Sequence, residues 1–228
     1  MSTFRRFWDS ASSACTYLLY DRQGGTGVCI DPVREHLPLY LRVLQELRLQ
    51  LAAIVETHVH ADHFSAASEL RASTGALLLA GRHSGTVGAD RLVDEGDQFN
   101  LGGLNLQLLA TPGHAPGSLS LRCGDRLFTG DSLLIGSWGR TDEPGSNPGQ
   151  LFDSISRLLR LPDECSVLPG HGSQGRWISC LGEERRSNPM FQGLSRDEFI
   201  ARCSQQRLPP LPEPAACLAH NRDFRVAA

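Results

Sequence analysis

One short stretch, residues 57–63, constrains the fold and chemistry of this chain more than any other. It reads Thr-His-Val-His-Ala-Asp-His and directly follows the apolar run 51–55. An apolar run of this length is typical of a buried strand, so the polar residues should lie on a loop at the strand's end. Imidazole and carboxylate groups together suit Zn²⁺ or Fe²⁺. A polar surface loop has no reason to hold three of the chain's eight histidines, so the stretch predicts a metal site.

Further candidate ligands follow other predicted strands. His114 comes after the alternating leucines of residues 104–108, Asp131 follows the short apolar run 127–130, and His171 follows residues 166–168. A single His or Asp after a strand is more often a turn or cap residue than a ligand. Their recurrence in order at successive strand ends favours one shared metal site.

The rest of the chain alternates predicted strands with predicted helices and has no internal repeat. The long segment 132–149 is rich in Gly and Pro, has no hydrophobic period, and is predicted to be a functional or mobile loop. The predicted strands are residues 14–20, 28–31 and 76–80, followed by a strand pair around residues 100–110 and a hairpin over residues 118–129. The predicted helices are residues 38–49, 64–74 and 150–161, then two short ones around Glu183 and over 196–205, before a proline-rich segment 208–214.

Composition indicates a soluble globular enzyme. A chain of 228 residues with 40% hydrophobic content is enough for one large domain. No apolar run approaches the roughly 20 residues of a membrane span, and the N-terminus lacks the apolar region of a signal peptide. The seven cysteines form no Cys-x-x-Cys pair, which favours a reducing, cytoplasmic location.

Charge argues against a nucleic-acid partner. The net charge is −3, and all 22 basic residues are arginine. These arginines are scattered along the chain except for two adjacent pairs, so the basic patch expected of a nucleic-acid binder is missing from the sequence.

The order His-x-His-x-Asp-His, His114, Asp131 and His171 resembles the metallo-β-lactamase superfamily. The resemblance implies an αββα sandwich, an α/β fold in which two mixed sheets pack face to face with helices outside. It also implies a metal site at one rim of the sheets. We expect a single domain over residues 1–228, in which residues 172–228 form a short helical and proline-rich C-terminal extension.

Within the superfamily, nearly the whole chain resembles the persulfide dioxygenases, also called sulfur dioxygenases. Two segments discriminate this family, because hydrolases of the superfamily generally lack the pair: Gly139-Arg140-Thr141-Asp142, and Glu183-Glu184-Arg185 followed by Asn188-Pro189. Other matching stretches are Thr16-Tyr17-Leu18-Leu19, Ile30-Asp31-Pro32-Val33 and residues 57–63 and 128–135.

This family resemblance implies one Fe²⁺ per chain, held by His58, His114 and Asp131 as a two-His, one-carboxylate triad that leaves coordination positions open. The implied reaction oxidises glutathione persulfide with O₂ and water to sulfite and glutathione, and a homodimer is expected from the family alone. The remaining polar residues of the motif would form a hydrogen-bonded surround or hold a second metal: His60, Asp62, His63 and His171.

Two other functions stay open at this point. A dinuclear thioesterase of the glyoxalase II type, with Zn²⁺ or a mixed Zn/Fe site, uses the same motif, although such enzymes typically continue into a larger helical domain than the 57 residues after His171 allow. A non-catalytic metal-binding or persulfide-binding protein is the third possibility. Metal identity and stoichiometry discriminate among them.

Glutathione carries two carboxylates, for which arginine is the best-suited partner. Arg185 is the first candidate and Arg140 the second, while a salt bridge from Arg140 to Asp142 is the structural alternative. The chain also departs from the family near the expected pocket. His171 is followed by Gly172 and Ser173 instead of Asp and Tyr, and Trp138 occupies a position where the family often has Cys.

Overall fold

Two six-stranded sheets pack face to face, and helices cover their outer surfaces. The structure is a computed structural model that describes residues 2–173, 175–190 and 192–225. The predicted αββα architecture of two mixed sheets is therefore confirmed. The predicted domain limits of 1 and 228 fall just outside the described residues.

The first sheet is formed by the N-terminal part of the chain, with its strands in sequence order. Its strands are β1 (Thr3–Trp8), β2 (Cys15–Tyr20), β3 (Thr26–Ile30), β4 (Gln50–Glu56), β5 (Leu77–Gly81) and β6 (Arg91–Val93). The first three pair antiparallel and β3 to β6 pair parallel. Two parallel connections carry helices, α1 (Leu37–Leu47) and α2 (Ala67–Thr74).

The second sheet has the order β14-β13-β10-β9-β8-β7. Its strands are β7 (Gln98–Leu101), β8 (Leu104–Ala110), β9 (Leu119–Cys123), β10 (Arg126–Gly130), β13 (Ser166–Pro169) and β14 (Ser179–Cys180). Between β10 and β13 lie the hairpin β11 (Leu133–Leu134) with β12 (Ser137–Trp138), and helix α3 (Pro148–Leu158). The C-terminal helices are α4 (Leu181–Ser187), α5 (Arg196–Gln205) and α6 (Pro214–Arg222).

Successive side chains of each strand point to opposite faces of the sheet, so the buried residues form separate layers. Tyr17 and Leu19 of β2 face the opposite sheet, whereas Leu18 between them packs against the outer helices. Val55 of β4 likewise faces inward and Ile54 outward, and both are fully buried. A strand that is covered on both faces reads as a continuous apolar run, which is why residues 51–55 show no alternation.

Three predicted helices have shifted bounds. Helix α1 ends at Leu47 and not near residue 49, and local contacts override the sequence pattern in α2 and α3. Helix α2 begins at Ala67 and not at residue 64, since the backbone of Phe64 and Ala66 pairs with Arg34 and Pro32. Helix α3 spans Pro148–Leu158 and not 150–161, because the Asn147 side chain accepts a hydrogen bond from Gln150 N and fixes an earlier start.

Other elements had no clear sequence signal. Strand β1 and helix α6 were not predicted, and the segment 132–149 was wrongly read as loop throughout, since it contains the hairpin β11–β12. Strand β1 carries two adjacent arginines within its six residues, and these interrupt the alternation of apolar and polar residues that marks a strand. None of the helices in the described part of the chain has the length and apolar character to cross a membrane.

Candidate metal centre

The polar residues predicted to act together do meet at one rim of the sandwich. They lie on the loops that follow β4, β8, β10 and β13. Each of these strands ends where its sheet reaches the rim, so four loops that are far apart in sequence converge. Gly130 at the end of β10 permits this approach, because a Cβ there would lie 2.6 Å from Thr57 Oγ1 and its φ of 48° is left-handed.

His58, His114 and Asp131 form the predicted triad. Each offers a ligand atom, and these atoms all lie within 4.8 Å of one another. The rings of His58 and His114 have their centroids 4.7 Å apart, and His114 Nε2 lies 3.8 Å from Asp131 Oδ2. Both histidines are buried, so the triad is held within the protein and only partly reached by solvent.

Hydrogen bonds fix which nitrogen of each triad histidine is available. His114 Nδ1 lies 2.9 Å from the carbonyl oxygen of Arg140, which only accepts, so Nδ1 carries the proton. The Thr57 hydroxyl donates to Asp31 Oδ2 at 2.7 Å and therefore accepts from His58 Nδ1 at 2.9 Å. In the neutral form of each ring, the proton is therefore on Nδ1 and the lone pair of Nε2 faces the centre of the site.

Asp131 is oriented in the same way. Its Oδ1 accepts from His171 Nδ1 at 2.8 Å, which leaves Oδ2 open toward His114. Burial alone raises the pKa of the Asp131 carboxyl, but the charge of His171 and its hydrogen bond outweigh burial and hold the pKa below its ordinary value. The carboxylate is therefore ionised and able to bind a cation.

The triad fits a divalent metal ion. Burial, followed by the neighbouring His60 and His114, holds the pKa of His58 well below its ordinary value, so its imidazole is neutral as a ligand requires. Two free Nε2 atoms and one free carboxylate oxygen are the donor set of non-haem iron sites and of several Zn²⁺ sites.

The neighbouring residues Asp62, His63 and His171 bind one another. Asp62 Oδ2 lies 3.0 Å from His171 Nε2 and 3.1 Å from His63 Nδ1. Burial opposes both charges, but Asp131 and Asp62 raise the pKa of His171 well above its ordinary value, and the two histidines hold the pKa of Asp62 below its own. Each His171 nitrogen therefore has a carboxylate partner.

His60 faces two buried carboxylates instead of the triad. Its Nε2 lies 3.1 Å from Glu56 Oε2 and 3.3 Å from Asp31 Oδ1. Burial disfavours the charged ring, but the two carboxylates outweigh burial and raise the pKa of His60 well above its ordinary value. His60 also lies within ligand spacing of Asp62 and His63, which is the set that a second metal ion would use.

A cavity of about 390 Å³ opens onto the site. Its floor carries Asp62, His114, Asp131 and His171, and its volume suits a small organic ligand. The walls are mainly apolar and come from the metal loop, the β11–β12 hairpin and the C-terminal segment: Val59, Ala61, Leu134, Trp138, Leu208, Leu211 and Leu218. Trp138 lines the cavity and packs against Phe199 with ring centroids 5.0 Å apart.

The arginines that the sequence singled out lie in different places. Arg140 lines the cavity and forms two hydrogen bonds to Asp142, at 2.7 and 2.8 Å. Arg185 lies outside the cavity lining, where its guanidinium contacts Asp163 and the carbonyl oxygens of Leu159 and Leu161 beyond the end of α3.

Sequence reasoning missed Arg222, the other arginine of the cavity lining. No carboxylate of the described residues lies within 4.0 Å of its guanidinium. Leu218 precedes it by one helical turn on α6 and lines the same cavity. No local pattern marked either residue, because α6 reaches the site only through tertiary contacts.

The departure at Gly172 has a steric explanation. A Cβ on Gly172 would lie 2.1 Å from the Trp177 ring, so the indole occupies the space that a larger residue would need. Ser173 exchanges backbone hydrogen bonds with Arg176 in a tight turn. The loop after His171 is therefore packed by Trp177.

Comparison with known proteins agrees with this site. The metallo-β-lactamase superfamily profile matches residues 14–171, which contain every residue of the predicted metal motif. The mitochondrial persulfide dioxygenase ETHE1 of Homo sapiens is 36% identical over 209 residues, covering 90% of this chain and 82% of the relative. The relative's name places it in mitochondria, whereas a cytoplasmic location for this chain stays a prediction.

Two solved structures extend the comparison. The crystal structure of ETHE1 from Myxococcus xanthus superposes with a TM-score of 0.93 at 43% identity and covers 96% of this chain and 98% of its own. A protein solved in a di-iron-bound form has a TM-score of 0.69 at 32% identity, covering 81% of this chain and 98% of its own.

Proposed function

Because the chain belongs to the persulfide dioxygenase family of the metallo-β-lactamase superfamily, we propose that it oxidises glutathione persulfide with O₂ and water to sulfite and glutathione. The observation that carries the proposal is the triad of His58, His114 and Asp131, whose three free ligand atoms converge beneath a cavity. The persulfide sulfur loses electrons that reduce O₂, and its sulfur–sulfur bond breaks to release glutathione.

The triad would hold one Fe²⁺ through His58 Nε2, His114 Nε2 and Asp131 Oδ2. Iron held there would supply the one-electron redox chemistry that a reaction with O₂ requires and that Zn²⁺ lacks. The protein's own contribution is orientation. Thr57 and the carbonyl of Arg140 fix the two imidazoles, and His171 fixes the carboxylate.

The cavity would bind glutathione through its carboxylates. Arg222 is the better partner, because it lines the cavity and no carboxylate of the described residues pairs with it. Arg140 already shares its charge with Asp142 and Glu143, so it would contribute less. The apolar wall around Leu134 and Trp138 would shield the reacting sulfur from bulk water.

The direct test is O₂ consumption by protein loaded anaerobically with Fe²⁺, measured on addition of glutathione persulfide with sulfite quantified in the same sample. The proposal predicts O₂ uptake matched by sulfite. The His114→Ala variant, which removes a triad ligand, serves as the control and should show neither. Protein with bound iron that takes up no O₂ would contradict the proposal.

A dinuclear thioesterase is the second candidate function. It is favoured by the ligand spacing of His60, Asp62 and His63 and by the similarity to a protein solved in a di-iron-bound form. Against it stands the hydrogen bonding of Asp62, whose Oδ2 already contacts both His171 and His63. Hydrolysis of a glutathione thioester by protein holding two metal ions per chain would favour this function.

A further inference from the structure

The C-terminal helix α6 makes an unexpected contact with the metal loop. Asn221, at the end of this helix, is 1% exposed and reaches the loop that carries Asp62 and His63. Its amide nitrogen donates to the carbonyl oxygens of His60 at 2.9 Å and His63 at 2.8 Å. Its amide oxygen accepts from Ser65 N at 2.8 Å.

These three hydrogen bonds use both amide hydrogens and the amide oxygen of Asn221. They bind the loop backbone on both sides of Asp62, so they fix where the Asp62 and His63 side chains begin. Buried backbone groups need partners, and without Asn221 the carbonyls of His60 and His63 would lose theirs. This one side chain therefore holds the loop backbone on both sides of Asp62.

The loop is connected to a triad ligand through side chains. Asp62 Oδ2 lies 3.0 Å from His171 Nε2, and His171 Nδ1 lies 2.8 Å from Asp131 Oδ1. A displacement of residue 62 would move His171 and then rotate the Asp131 carboxylate away from the triad's centre. The chain of contacts runs from Asn221 through Asp62 and His171 to the carboxylate that would bind the metal.

We propose that Asn221 is a positioning residue for the metal centre, acting through the loop 60–65 and Asp62 on the orientation of Asp131. The inference rests on the proposed metal triad but not on the identity of the substrate. A family-level prediction from the motif ends at His171, whereas this residue lies 50 positions further along the chain.

The alternative is that Asn221 only anchors the C-terminal segment to the rest of the protein. Other contacts also anchor this segment. Val87 N donates to Arg222 O, and Phe224 N donates to Val87 O. Arg71 donates to the carbonyl oxygens of Gly88 and Phe224. These contacts hold the same segment without touching residues 60–65, so they supply a matched control.

The experiment compares Asn221→Ala with Arg71→Ala. Both variants lose hydrogen bonds to the C-terminal segment, but only the first loses contacts to the metal loop. The readouts are the rate at which a strong chelator removes Fe²⁺ from the loaded protein, the electron paramagnetic resonance spectrum of its nitric oxide adduct, and the melting temperature.

We expect Asn221→Ala to release iron about 10-fold to 100-fold faster and to change the spectrum, as with loss of other groups that orient metal ligands. Arg71→Ala should lower the melting temperature and release iron at the wild-type rate. If the alanine variant fails to fold, Asn221→Ser is measured in its place. Serine supplies one hydroxyl donor instead of the amide, so its rate of iron release should lie between those of wild type and the alanine variant.

Two results would overturn the inference. Iron release from the Asn221 variants at the wild-type rate would show that the loop keeps its shape without the amide. Equal acceleration in Arg71→Ala, in proportion to lost stability, would show that anchoring alone matters. None of the three readouts uses a persulfide. The proposed dioxygenase activity is tested separately by the oxygen and sulfite assay.

Discussion

The metal centre has two halves that contain the same residue types but differ in what their ligand atoms contact. In the open half, formed by His58, His114 and Asp131, three ligand atoms face one another without internal hydrogen bonds. In the closed half, formed by Asp62, His63 and His171, hydrogen bonds engage Asp62 Oδ2, His63 Nδ1 and both nitrogens of His171, while His63 Nε2 has no partner among the described residues. Residue type defines a possible ligand, and its hydrogen bonds decide whether it is available.

The difference between the halves has an energetic consequence. A cation that entered the closed half would have to separate His171 from Asp62, a hydrogen bond between groups whose shifted pKa values favour the charged forms. Hydrogen bonds to charged groups contribute about 1.5–3 kcal/mol each. No such separation is needed in the open half, so the first metal ion should bind there.

The largest expected effect comes from removing a ligand of the open half. His58→Ala, His114→Ala and Asp131→Ala should each abolish stoichiometric iron binding and lower turnover by about 10³-fold or more, because too few ligands remain. Iron content and sulfite production measure both effects. His83→Ala removes an exposed histidine near Asp94 and should leave both unchanged. Full iron content in all three ligand variants would contradict the assignment of the open half.

The closed half should respond more weakly. Asp62→Ala and His171→Ala should still bind one iron per chain, with affinity lowered by about 10-fold to 100-fold, because these residues orient Asp131 and do not bind the metal. Chelator competition on the loaded variants measures this loss. A fall from two metal ions to one in either variant would instead show that the closed half binds metal in the wild-type protein.

Substrate binding gives the next effect in size. Arg222→Ala should raise KM for glutathione persulfide by about 10-fold to 100-fold with little change in kcat, since a charged hydrogen bond to a carboxylate is lost. Arg140→Ala should raise KM less. Arg185→Ala should leave KM unchanged and lower the melting temperature, because its contacts are with Asp163 and with backbone carbonyls beyond α3. A larger KM effect at Arg185 than at Arg222 would reverse the assignment.

The smallest expected effect is on the way the free energy of unfolding depends on pH. The folded-state pKa of Asp62 is lowered, so its contribution to stability is present above the unfolded pKa of about 3.9 and is lost as pH falls below it. Asp62→Asn lacks this titration, so the free energy of unfolding of the metal-free variant should fall less steeply with acid than that of wild type. Urea titrations across this range test the slope, and equal slopes would show that Asp62 is not stabilised in the folded state.

The open half was predictable from sequence because each ligand lies within a few residues of the strand that positions it. His58 follows β4, His114 follows β8 and Asp131 follows β10, so strand patterns and ligand types appear together in the chain. The two mixed sheets follow from the same patterns and from the resemblance to the superfamily.

The enclosure of the site was not predictable in this way. Asn221 contacts His63 across 158 positions, and Arg222 reaches the cavity only because α6 packs beside that loop. Arg185 shows the opposite case, since a family-like segment suggested a pocket role and the path of α4 directs the guanidinium toward Asp163. Packing between elements that are distant in the chain determines where these side chains lie. A single sequence has no periodic pattern that reveals such packing.

The most direct test of a single metal ion in the open half is a crystal structure of the protein loaded anaerobically with Fe²⁺, with iron located by its anomalous scattering. We expect one iron per chain, bound by His58 Nε2, His114 Nε2 and Asp131 Oδ2. Two irons per chain, or one iron bound by Asp62, His63 and His171, would contradict it.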